Sequence, residues 1–268
     1  MKIGFIGMGN MGFALAKGIL RNWDRKDMIF SCKTPEKRVS AGDELGIKAA
    51  MCNSDVVKAS DIVILAIKPQ MFDDVFAEIK KDVKDGTIFV SLAPGKTIDY
   101  LTGAFDGRIR VVRAMPNTPA LIGYGCAGVA FDESRFSKDE ISVIEQIFSS
   151  VGKYVKVPEE QINTVICASG SSPAFVYMFI DQLIKECRSL AGDSLSMEDI
   201  RTMVASTVVG AGMMVLETGE DPDVLKTRVC SKGGTTIAGV EKLEKMGFRE
   251  AISAGTKACY DRAVEMSK

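Results

Sequence analysis

A short apolar run over residues 2–7 leads directly into Gly7-Met8-Gly9-Asn10-Met11-Gly12, and a helical pattern begins at once over residues 10–21. In this spacing the first glycine permits a tight turn after a strand, and the second lets backbone approach a pyrophosphate. The third allows close helix–strand contact. Amide groups at the helix start supply an anion site. The spacing alone also describes a ligand-free turn. The strand before it, and Met11, Leu15, Ile19 and Leu20 at helical intervals after it, point instead to a bound dinucleotide.

The rest of the chain fits one α/β architecture followed by helices. Residues 28–31 read as a second strand, and Thr34-Pro35 as an N-cap with proline at the first position of a helix running to about Gly46. Residues 61–67 and 87–92 are continuous apolar runs of strand length, separated by an amphipathic stretch over 70–81. Residues 108–114 and 125–131 read as further strands, and Ser137-Lys138-Asp139-Glu140 as a capping box for a helix ending near Gly152. This predicts a Rossmann-type doubly wound parallel sheet over residues 1–157.

From residue 158 to 268 the β signal is gone and helices alternate with Gly, Ser and Asp-Pro punctuation. Phe175, Phe179, Leu183, Cys187 and Leu190 share one helix face, but Val176, Met178, Ile180 and Ile184 spread apolar character around it. Residues 200–216 behave similarly. So small a unit has little interior in which to bury helices that are apolar on most sides. An all-α dimerisation domain is the reading; a core helix within one chain is the alternative.

Composition removes several classes of function. Thirty-four basic and 35 acidic residues leave a net charge of −1 without a basic tract, which argues against nucleic acid as a partner. No stretch reads as a bilayer span and no signal-peptide pattern opens the chain, so no membrane partner and a cytoplasmic location are expected. Seven scattered cysteines, none in CxxC spacing, indicate neither a disulfide framework nor a metal site. Histidine is absent, so catalysis must work without imidazole.

NAD-specific folds place an Asp or Glu about 20 residues beyond the glycine loop to hold the ribose 2′-hydroxyl. Here that place holds Ser31-Cys32-Lys33-Thr34, and no carboxylate follows until Glu36. Lys33, Lys37 and Arg38 are cationic and Ser31 and Thr34 are hydroxyl donors, a set that suits a 2′-phosphate. NADP(H) is preferred, with NAD(H) possible and an ordinary solvated helix start as the bland alternative. FAD enzymes share the glycine loop but usually carry the acid that is missing here.

Four further segments, read with the opening loop, resemble pyrroline-5-carboxylate reductase. They are Ala66-Ile67-Lys68-Pro69-Gln70, Met115-Pro116-Asn117-Thr118-Pro119-Ala120, Ser169-Gly170-Ser171-Ser172-Pro173-Ala174 and residues 231–239, Ser-Lys-Gly-Gly-Thr-Thr-Ile-Ala-Gly. The resemblance implies that Ala66, Ile67, Lys68 and Pro69 line the adenosine and ribose region together with Asn53. A solvated Lys68 side chain is the alternative for that residue. Two prolines rigidify the connection around Asn117, so Met115 and Asn117 can be held against a nicotinamide; a plain turn is the alternative.

The resemblance further implies that Ser231, Gly233, Gly234 and Thr235 cradle a substrate carboxylate and that the Thr236 hydroxyl faces the ring nitrogen. Ordinary N-capping is the alternative. The family usually has glycine at Ser172 and proline at Lys232, and these departures bear on substrate identity.

The reaction so implied is NAD(P)H-dependent reduction of the cyclic imine 1-pyrroline-5-carboxylate to L-proline, by a homodimer through the helical domain, for which the resemblance also allows a higher assembly such as a decamer. Competing readings are a reductase of another cyclic imino acid, a β-hydroxyacid dehydrogenase using Lys185 or Lys232, and an NADP-sensing interaction protein.

Overall fold

Eight strands form one sheet in the order β3-β2-β1-β4-β5-β6-β7-β8. The inner strands β1 (Ile3–Ile6), β2 (Met28–Ser31), β4 (Ile62–Leu65) and β5 (Ile88–Ser91) are buried along their whole length. β6 spans Arg110–Met115 and β7 Gly125–Ala130. At the edges lie β3 (Lys48–Ala49) and β8 (Gly152–Lys156), which the sequence hides because their residues are short of apolar character. Lysines on an edge strand are a common guard against further pairing.

The helices of this sheet unit are α1 (Asn10–Ile19), α2 (Pro35–Leu45), α3 (Asn53–Ala59), α4 (Phe72–Ile79), α5 (Ile98–Ala104) and α6 (Lys138–Ser149). Helices on both faces bury two apolar layers, one around Phe5, Phe30 and Phe148 and the other around Phe72, Phe89 and Phe105. Thr34 and Pro35 open α2 as expected, and left-handed Gly46 closes it.

One expectation needs correcting: the sheet is not wholly parallel, because β6 and β7 pair antiparallel. The connection between them contains Pro116, Pro119 and a short 3₁₀ segment, Thr118–Ile122. A parallel crossover takes a dozen or more residues, so the chain can only turn back on itself.

The computed structural model describes residues 1–266, which fall into two compact units. The first comprises residues 1–171 with 259–266, and the second Ser172–Ala258. The sheet ends at Lys156, close to the boundary expected at 157/158, but the packed unit runs further. The short helix α7 (Ile162–Val165) lies on β7 at Gly128, where an added Cβ would sit 2.5 Å from a Val165 methyl. A wide π-type turn, Ile166–Ser171, follows.

The second unit contains α8 (Ser172–Ala191), α9 (Met197–Thr218), α10 (Pro222–Val229), α11 (Thr235–Lys245) and most of α12 (Phe248–Met266). α8 buries no residue and α9 only Ile200 and Val204, so Phe179, Met178, Met203 and Met214 stand exposed. By length and composition alone α9 is apolar enough to cross a bilayer, contrary to the sequence reading. Its glycines, serines and threonines had broken up the apolar run.

The capping box on α6 has a pH consequence. Ser137 Oγ accepts from Glu140 N, while Glu140 accepts from Ser137 N and takes two 2.7 Å bonds from the Arg110 guanidinium. Arg110 above all, and then the Ser137 amide, hold the Glu140 carboxyl at about 2 against burial, which acts the other way; its ordinary value is 4.5.

A group depressed on folding stabilises above its unfolded pKa and loses that contribution as pH falls through the folded one. Both side chains are mostly buried. The pair therefore contributes on the order of 3 kcal/mol at neutral pH, lost between about pH 4.5 and 2. Urea titrations across this window should show a shallower pH slope for Glu140→Gln than for the parent; equal slopes would refute the assignment.

Candidate functional site

The sequence runs outward from β1 to β2 and β3, then resumes on the other side of β1 at β4. Ligands of open α/β sheets sit outside the strand carboxyl ends at such a reversal. A cavity of about 760 Å³ opens at these ends, lined by residues that follow β1, β2 and β4 and by the face of α4.

Gly7 leaves β1 with φ +96°, and its amide donates to Ser31 O at 3.0 Å. A Cβ there would fall 2.6 Å from Ala66 O, so both the turn and the contact with the β4 end require glycine. At Gly12 an added Cβ would lie 2.6 Å from Gly7 O and 3.0 Å from Ala66 Cβ, which is the close helix–strand approach expected of the third glycine. Gly9 differs: nothing lies within 4 Å of the corresponding point. It is the N-cap of α1, with no side-chain cap and no acidic residue in the first turn. Open space in front of uncapped amides is the shape and charge a pyrophosphate needs.

The structure gathers most of the expected cofactor residues around this space. Gly7 and Gly9 form one wall, Ser31, Lys33 and Thr34 the next, and Asn53, Ala66, Ile67 and Lys68 another. Lys37 and Arg38, on the first turns of α2, add positive charge beside Lys33. Asn10, Met11 and Gly12 belong to the first turn of α1 behind the loop, with Met11 packed on the core. Pro69 opens a 3₁₀ turn just past the wall.

Met115 and Asn117 lie at the end of β6 and do not line the cavity. Asn117 is buried and its amide is already engaged: Nδ2 donates to Ser169 O at 3.0 Å, and Oδ1 accepts from Cys126 N at 2.9 Å. Its side chain staples the π turn to β7.

Sequence reasoning missed Met71, Asp74 and Glu78, which form the α4 side of the cavity. They fall on one helical stripe, but a charged stripe opposite buried Phe72, Val75, Phe76 and Ile79 reads as an ordinary solvated face. Glu78 is bonded into the wall. Asn53 N and Asn53 Nδ2 donate to its two carboxylate oxygens at 2.9 and 2.6 Å, and Ser31 Oγ donates to Asn53 Oδ1 at 2.6 Å.

In the helical unit, Gly234 N donates to Ser231 O at 3.0 Å, closing a turn with Lys232 and Gly233 at its centre. Gly233 has φ +72° and Lys232 does not have positive φ. This is the type II pattern, in which proline is common at the position Lys232 occupies and glycine is favoured at the next. Lysine therefore keeps the turn, whose shape is held by Gly233. Gly234 caps α11 without a side-chain bond, leaving amides at Thr235 and Thr236 unpaired within the helix; both threonines are exposed.

A second hollow of about 670 Å³ in this unit is lined by Phe175, Phe179, Leu183, Phe248 and Ile252 with little polar company. It offers nothing to a phosphate.

Residues 159–266 match the profile described as pyrroline-5-carboxylate reductase dimerisation, and residues 2–95 match one described as NADP oxidoreductase coenzyme F420-dependent. A pyrroline-5-carboxylate reductase of Escherichia coli is 36% identical over 269 residues, covering 100% of this chain and 98% of that protein. The chain belongs to the pyrroline-5-carboxylate reductase family. Its archaeal relative in Methanosarcina acetivorans is 34% identical over 278 residues, again spanning 100% of this chain and 98% of the other.

Among solved structures, the family member from Coxiella burnetii superposes with a TM-score of 0.89 at 31% identity. That from Plasmodium falciparum, described with NADP bound, gives 0.87 at 26% identity. Each covers 100% of this chain and 98% of its own. The resemblance read from five segments is thereby borne out, and the exposed helices belong to a reductase dimerisation domain that associates with other copies.

Proposed function

We propose that this chain catalyses NADPH-dependent reduction of 1-pyrroline-5-carboxylate to L-proline, the last step of proline biosynthesis. The reading rests on 36% identity to a pyrroline-5-carboxylate reductase over the whole chain, together with a cavity whose parts fit the cofactor. Gly9 leaves room for the pyrophosphate over the α1 amides, while Lys33, Lys37 and Arg38 supply the charge a 2′-phosphate would meet. NAD(H) remains a second, weaker cofactor in this proposal. When bound, the nicotinamide supplies the hydride.

The remaining work falls to the chain. Ser231, Gly233, Gly234 and Thr235 hold the substrate carboxylate at the uncapped start of α11. Thr236 orients the imine nitrogen through its hydroxyl. A protonated imine is already electrophilic, so orientation and anion binding matter more than a strong acid. The absence of histidine is then no handicap, and the nitrogen takes its proton from solvent or arrives with it.

We assign cofactor binding to residues 1–157 and dimerisation with substrate binding to 158–268. A homodimer through α8 and α9 is the basic unit, able to assemble further toward a decamer. A cytoplasmic location accords with seven free cysteines.

Loss of NADPH absorbance in the presence of 1-pyrroline-5-carboxylate, run beside its six-membered homologue, tests the function. Turnover is expected with the five-membered ring. Preference for the larger ring would move the assignment to another imino acid, with Lys232 the first residue to examine, and activity with neither would overturn it.

A further inference from the structure

The bonded row Glu78, Asn53, Ser31 does more than close the cavity wall. Glu78 as a carboxylate only accepts hydrogen bonds, so the Asn53 group facing it must be the amide nitrogen. Asn53 Oδ1 is thereby turned to Ser31, whose single hydroxyl proton goes to it at 2.6 Å. The Ser31 oxygen is left to show the cavity its lone pairs. The sequence reading took Ser31 as a donor for a phosphate, yet in this row it can only accept. An acceptor suits a ribose hydroxyl and not a phosphate oxygen.

We propose that Glu78 is a positioning residue that sets Ser31 as a hydrogen-bond acceptor for a ribose hydroxyl and so tempers the preference for NADP(H) over NAD(H). This rests on the reading of the cavity as the dinucleotide site. Two observations carry it apart from the motif. Glu78 spends both oxygens on Asn53, one through the backbone amide at the start of α3 and one through the side chain. All three residues line the same space as Lys33, Lys37 and Arg38. The cations favour the extra phosphate; the row leading to Ser31 favours a hydroxyl.

Glu78→Gln keeps size and shape but presents an NH₂ to one of the two Asn53 donors. The Asn53 amide then turns over, its nitrogen donates to Ser31, and the Ser31 proton is released toward the cavity. Isothermal titration of the full-length protein with NADP⁺ and with NAD⁺ reads the result without catalysis. The variant should raise the ratio of the NAD⁺ to the NADP⁺ dissociation constant by about tenfold, of the size expected for one hydrogen-bond mismatch.

Ser31→Ala alone should move the ratio in the same direction, and Glu78→Gln added to it should move it no further. That keeps the test open should Glu78→Gln fold poorly. A structural role confined to anchoring α3 would weaken both nucleotides equally, and an unchanged ratio overturns the proposal. A parent protein that binds neither nucleotide overturns the cavity reading and this inference with it; one that binds both with no change in ratio overturns the inference alone.

Discussion

Thr236→Ala is expected to lower kcat about 100-fold, the scale of losing one aimed hydrogen bond or proton contact in a transition state. Affinity for NADPH should stay within about twofold, because the change removes only a group directed at substrate and leaves the backbone amides of α11 in place. Thr236 is exposed on the first turn of an eleven-residue helix. Its replacement neither opens a core cavity nor lowers helix propensity, since alanine is the better helix former. Stopped-flow turnover with saturating imine, paired with direct titration of NADPH, separates the two quantities. Equal losses in both would remove Thr236 from the chemistry.

The second large effect lies away from the ligand. Arg113 on β6 is almost wholly buried, and its Nη1 meets Glu159 Oε1 at 3.2 Å. Among the described residues its Nε and Nη2 find no hydrogen-bond partner. Glu159 Oε1 also accepts from Ile98 N at 2.7 Å, tying the start of α5 to the same point.

Removing one partner of a buried pair strands the other charge, which typically costs about 3 to 5 kcal/mol. Glu159→Ala should fall at the lower end of that range, about 3 kcal/mol, because Glu159 itself is partly exposed. Urea unfolding at fixed chain concentration measures it. Glu159→Gln, which retains an acceptor for Ile98 and Arg113, should lose clearly less. A loss under about 1 kcal/mol in the alanine variant would place the pair with ordinary surface bridges.

How far the sequence discloses this molecule depends on whether a residue's job is local. Gly7, Gly9 and Gly12 announce theirs because turn, approach and packing are all set within one strand–helix unit. The Ser137 capping box is legible for the same reason. β8 is not, since lysines on an edge strand look like any solvated segment until Gly152 is seen paired with Gly125. The reversed direction of β7 is hidden too, being decided by the length of a connection and not by the composition of the strand.

At the site, the Ser31–Thr34 stretch points to the cavity, but the sense of the Ser31 hydrogen bond depends on Glu78, distant in sequence and dressed as surface. Asn117 shows the converse. Proline on either side made it look poised for a ligand, while its amide is spent on Ser169 and Cys126.

The uncovered apolar sides of α8 and α9 also affect how the protein responds to its own abundance. Where association covers such surface, folding and assembly become one equilibrium, and the midpoint of unfolding moves with the total amount of chain. Dilution then acts as a denaturant. A cell making little of this protein would hold a less durable population than one making much, and new chains would wait for each other before reaching full resistance to proteolysis.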